Sequence, residues 1–141
     1  MPPDTDFPIM SQAMNVRILR HALPLLAALA ISACEYNPQA LVDSGAARLD
    51  AAAAQAHIAG NTEFWEAGPV YYYPDGRLET IWRKVKSDGS WTVGADGEVC
   101  LSTRTWDKCH YYLAQEGEVF TVVDGKVRGI NKTQAGNRLR R

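Results

Sequence analysis

Cys109 and His110 stand side by side at the end of Trp106-Asp107-Lys108-Cys109-His110, a thiol beside an imidazole, where a haem or a metal ion would find ligands. A haem attachment site needs a second cysteine where Trp106 stands. A zinc site needs four ligands, and Cys100, Cys109 and a lone His110 do not complete the set. The carboxylates Glu63, Glu66, Glu79, Glu98, Glu116 and Glu118 occupy no motif that fixes a separation between two acids or raises a pKa, so they read as solvated faces and turn flanks. His57 reads as a partner of a helix C-terminal dipole. The chain contains no Gly-x-Ser-x-Gly elbow, phosphate loop, His-Glu-x-x-His pair or calcium loop. No catalytic residue, metal or cofactor is expected, and the chemistry points to binding or to a structural role.

The aromatic side chains offer more. Successive strand residues face opposite ways, so Tyr72 must point away from Tyr71 and Tyr73, and Tyr111 away from Tyr112. At least one tyrosine of each run is therefore left facing outward, and Tyr71, Tyr72, Tyr73, Trp106 and Tyr112 are the candidates for an aromatic platform that takes a partner protein or a saccharide. Core packing is the competing use of the same rings.

The elements that must position these rings read as mainly β. From Thr62 onward, short aromatic or β-branched runs alternate with turn signals. Four Asp-Gly pairs, Asp75-Gly76, Asp88-Gly89, Asp96-Gly97 and Asp124-Gly125, mark tight hairpins. The spacing between turns predicts a small antiparallel β-barrel or β-sandwich meander of about seven or eight strands. Ahead of it, Leu49 to Ile58 is alanine-rich and has high helix propensity, with Gly60-Asn61 at its end. Leu49, Ala53, Ala56 and Ile58 would form its apolar stripe. The chain divides into residues 1–33 as a start extension plus signal peptide, 34–45 as anchor and tether, 46–60 as helix, 61–131 as antiparallel β-domain and 132–141 as a basic tail. With 15 basic and 16 acidic side chains the protein is nearly neutral, which argues against a nucleic-acid partner.

Arg17 and Arg20 precede an apolar stretch from Ala22 to Ile31, which is the layout of a secretory signal and too short for a transmembrane helix. Ile31-Ser32-Ala33-Cys34 resembles a bacterial lipobox, which implies that Cys34 is lipidated and becomes the first residue of the mature chain. Met14 then reads as the natural start, with Met1 to Ala13 as an extension. The resemblance implies a cell-envelope protein facing the periplasm, with the membrane as its partner through a lipid anchor and an envelope protein or cell-wall polymer as a further one. Glu35 is not the aspartate that favours inner-membrane retention, which tips the expectation toward the outer membrane. With Cys34 carrying lipid, Cys100 and Cys109 remain as one disulfide pair in an oxidising compartment.

Gly60-Asn61-Thr62, Tyr72-Tyr73-Pro74-Asp75-Gly76, Gly89-Ser90-Trp91-Thr92-Val93, Cys100 and Cys109 together resemble a family of small exported alphaproteobacterial β-domains of unknown function. The likeness runs from Leu49 to Gly125. It implies a compact β-domain and carries over no catalytic residue. A looser likeness to lipocalin-like inhibitor barrels keeps a protease or lysozyme inhibitor as an alternative, and a small-ligand carrier or an enzyme with an interior pocket as another.

Overall fold

The computed structural model describes residues 37–139. The signal, Cys34 and the last two arginines lie outside the described residues. Ten antiparallel strands and two short helices follow one another as α1 (Pro38–Asp43), β1 (Ala47–Arg48), α2 (Ala51–Ile58), β2 (Asn61–Trp65), β3 (Gly68–Tyr72), β4 (Arg77–Trp82), β5 (Val85–Val93), β6 (Val99–Thr103), β7 (Asp107–Gln115), β8 (Glu118–Val123), β9 (Lys126–Ile130) and β10 (Thr133–Ala135). The strands make a curled half-barrel sheet in the order β10-β2-β3-β4-β5-β6-β7-β8-β9. The mainly β meander expected from the turn spacing is thus present, with more strands than the seven or eight anticipated because the short β1 and β10 carry no strand signal of their own. Among the described residues no helix is long and apolar enough to cross a membrane.

Hairpin chemistry sets the register. A two-residue loop of type I′ needs positive φ at both central positions to match the strand twist. Glu116-Gly117 and Asp124-Gly125 provide this with a glycine each. The β4–β5 loop does not: Arg83 (φ 49°) and Lys84 (φ 69°) both take left-handed backbone without a glycine. The turn anticipated at Ser87-Asp88-Gly89 is therefore displaced, and those residues lie inside β5. Gly89 serves packing there, since a Cβ would sit 2.1 Å from the Ser102 carbonyl oxygen on β6. Cys100 and Cys109 face each other directly across β6 and β7 and are joined by a disulfide.

Three boundaries differ from those read in the sequence. The helix placed at 46–60 begins only at Ala51, because the Asp50 carboxylate accepts a hydrogen bond from Ala53 N and caps it. Before it, Ala47 and Arg48 pair with Ala114 and Leu113 of β7 as β1. Its buried residues are Ala54 and Ile58 rather than Ala53 and Ala56, which are exposed. The stretch read as a tether contains α1, capped by the Asn37 side chain and anchored by buried Leu41. The stretch read as a tail contributes β10 and then Gly136, whose N–H donates to Gly60 O.

Two apolar clusters result. Inside the curl, Val70, Tyr72, Leu78, Trp91, Val99, Leu101 and Tyr112 pack with Ala54 and Ile58 of α2. On the other face of β7 and β8, Leu113 and Val122 are covered by Leu41 and Ala46. Each large side chain so buried contributes about 1.5–3 kcal/mol. After β9 the chain passes from β8 to β2 within two residues: Asn131 N donates to Val119 O on β8, and Phe64 N on β2 donates to Lys132 O.

Candidate functional site

The interior holds a carboxylate. Asn61, Glu63 and Trp65 alternate with Phe64 on β2, and Phe64 is 37% exposed while Glu63 is fully buried. Four donors converge on Glu63. Tyr112 OH donates to Oε1 at 2.8 Å and Asn131 Nδ2 to the same oxygen at 2.5 Å. Tyr72 OH and Trp65 Nε1 donate to Oε2, the latter at 2.8 Å. This saturates an ionised carboxylate, which only accepts, and offsets the cost of burying it. Burial, then the Glu63 charge, pushes both the Tyr72 and Tyr112 phenols well above their ordinary range, so they remain donors.

Around this acid the network extends to two histidines. Tyr112 has one proton and gives it to Glu63, so the 2.8 Å contact between Tyr112 OH and His110 Nε2 assigns the proton to Nε2. His110 Nδ1 is then a bare acceptor, and it has no hydrogen-bond partner. Burial lowers the His110 pKa, with Glu63 opposing and Lys108 reinforcing the effect. His57 Nε2 lies 2.7 Å from Asn131 Oδ1, and Asn131 Nδ2 also donates to Thr121 Oγ1. Asn131 thus ties α2, β2 and β8 together at the crossing point. Among the described residues no group of three or more His, Cys, Asp or Glu side chains is placed to hold a metal ion.

The curl opens beside this network. A cleft of about 520 Å³ has Trp65, Thr121, Val123 and Asn131 among its walls, with Trp82, Arg83, Lys108, Arg128, Ile130 and Glu66 around them. Trp65 and Asn131 therefore face the cleft while touching Glu63. A second cleft of about 680 Å³ shares Phe64, Ile130 and Asn131 and continues past His57 and Lys132. Lys108 reaches the first cleft because it lies two residues before His110 on β7, on the same inward face. The Arg83 backbone is held at the rim by its N–H, which donates to Ala67 O at 2.7 Å.

The five aromatics expected to form one platform are dispersed by the fold. Tyr72 and Tyr112 are buried as donors to Glu63. Tyr71 and Tyr73, which flank Tyr72, pack edge-to-face against each other with 4.6 Å between ring centres. Trp106 is half-buried and packs 5.1 Å from Trp82, which in turn lies 6.2 Å from Trp65. Tyr72 points away from its neighbours, as strand alternation requires, and alternation alone does not distinguish the inside from the outside. The interior carboxylate differs from the solvated face read for Glu63 in the sequence, where nothing sets it apart from any other strand acid. Its signal was the face it shares with Trp65, opposite Phe64.

The fold and site define a class: a curled antiparallel half-barrel with a saturated internal acid and a cationic, tryptophan-walled mouth. Compared with protein-family models, curated proteins and solved structures, the chain matches none.

Proposed function

We propose that this is a lipid-anchored, periplasm-facing binding module of the cell envelope, without catalytic activity, and that it binds through the mouth of the half-barrel. The observation that carries the reading is the contrast between two groups of polar side chains. Glu63, the buried acid best placed for general acid–base work, has both oxygens occupied by four donors and so acts in holding strands together. Arg83, Lys108 and Arg128 at the mouth have no carboxylate partner among the described residues and surround indole surface. A mixed aromatic and polar concavity of this size suits a small ligand or one segment of a polymer. It favours ligand binding over inhibition of a protease or lysozyme, which would call for a protruding loop.

Hydrogen–deuterium exchange of the protein with and without a soluble envelope extract tests this. Protection is expected at residues 65–67, 82–83 and 128–131. Protection confined to the outer Tyr71–Tyr73 face, or none anywhere, would remove the mouth from the proposal. Mass spectrometry of the N-terminal peptide tests the anchor, for which a diacylglyceryl group on Cys34 is the expected result and an unmodified cysteine the contrary one.

A further inference from the structure

We infer that the mouth takes an organic anion, a carboxylate or phosphate carried on an aromatic or other flat apolar body; the inference rests on the mouth being the binding site and names what it binds. Three observations lead there. First, the walls combine charge and flat apolar surface: Arg83, Lys108 and Arg128 stand around Trp65, Trp82 and Ile130, with Glu66 as the single acid among the cleft residues. Arg and Lys so placed give charge-assisted hydrogen bonds to oxyanions, and the indoles give stacking area.

Second, the charges are placed at a cost. Lys108 occupies an inward-facing strand position, half-buried, two residues from buried His110, whose protonation its charge disfavours. No carboxylate among the described residues pairs with it. The interior acid that would be its natural partner is already saturated by neutral donors. Ile130, 52% exposed at the same mouth, is an apolar surface left uncovered.

Third, Arg83 lies in a two-residue hairpin loop whose left-handed backbone asparagine or glycine adopts with less strain. Arg83 takes this backbone and also lines the cleft, so the residue that strains the turn is one that can serve the mouth. Removing the charge should therefore separate folding from binding, which ordinary surface residues do not do.

Isothermal titration of the intact folded protein with 2-naphthoate, 1-naphthyl phosphate and uncharged 2-naphthol tests the inference. The two anions are expected to bind one per chain and more tightly than naphthol. Lys108→Gln with Arg128→Gln should weaken the anions by about tenfold or more and leave naphthol within about twofold. Lys86→Gln removes one charge from the β4–β5 hairpin away from the mouth and should change none of the three by more than that. Arg83→Asn should weaken the anions several-fold while the thermal midpoint holds or rises, a combination that a merely structural arginine would not give. The stronger of the two anions identifies the oxyanion. Naphthol binding as tightly as the anions, or anion binding indifferent to the double substitution, overturns the anion assignment and leaves the mouth as an apolar site. Failure of all three to bind at millimolar concentration overturns the anion inference, while protection of residues 65–67, 82–83 and 128–131 in the exchange experiment decides separately whether the mouth binds at all.

Discussion

At the scale of single residues, Glu63 is where this fold has most to lose. Its two oxygens accept from side chains on β2, β3, β7 and the chain after β9, so one carboxylate organises four stretches of chain. Glu63→Gln keeps the shape but turns an amide N–H₂ toward donors, leaving at least one pair opposed. We expect a loss of about 2–4 kcal/mol in urea unfolding, and an unchanged midpoint would show that the network is ornamental to stability. His110 makes a second, pH-dependent contribution. Burial holds its folded pKa below the ordinary 6.5, so the unfolded chain binds more protons as pH falls through that value. Stability is then full above about pH 7 and declines on acidification. His110→Gln, which keeps a donor for Tyr112, should flatten the decline between about pH 7 and 5; an equally steep profile in the variant would assign the effect to other groups.

Elements are where sequence and structure agree best, and their disagreements have specific causes. The hairpins at Glu116-Gly117 and Asp124-Gly125 were legible because the residue types suit the φ values their turns require. The cysteine pair was legible because consecutive strands place residues 100 and 109 opposite each other; a loop this short contributes roughly 2–3 kcal/mol in the chain-entropy model. Arg83-Lys84 was illegible as a turn, since neither residue favours left-handed backbone, and Asp88-Gly89 was misleading because its glycine answers a close approach to β6. The interior acid and cationic mouth were illegible for another reason. Alternation says that Lys108, His110 and Tyr112 share a face, but only the closed curl makes that face the inside. Gly97 shows how elements depend on such approaches: φ is +82°, and a Cβ would lie 2.0 Å from the Leu49 carbonyl oxygen just ahead of the cap of α2. Gly97→Ala should cost at least about 2 kcal/mol and raise amide exchange in residues 51–58. Unchanged exchange there would detach the start of α2 from the β5–β6 turn.

For the molecule as a whole, the question is what keeps a half-barrel from presenting an open edge. A long unpaired strand edge invites pairing with another chain, and here the last strands prevent it by changing sides. After β9 the chain leaves its pairing with β8 at Asn131, bonds to β2 through Lys132, and adds β10 along Asn61–Glu63. Beyond β10, Thr62 Oγ1 donates to Gly136 O and accepts from Arg138 N, which accounts for a fully buried threonine at a sheet margin. Two truncations separate the backbone role of this segment from that of one side chain. Ending the chain at Lys132 removes β10 and bares the edge of β2 while Asn131 stays on Glu63. The expected product is folded, less stable and dimeric or larger by analytical ultracentrifugation. Ending it at Ile130 also removes Asn131, leaving Glu63 Oε1 with Tyr112 alone and His57 without its amide partner. That chain should lose stability well beyond the first, with exchange rising in α2 as well as β2, because it opens the edge and breaks the polar tie behind it. If both truncated chains stayed monomeric with equal unfolding midpoints, neither the edge nor the Asn131 tie would be what holds the curl together.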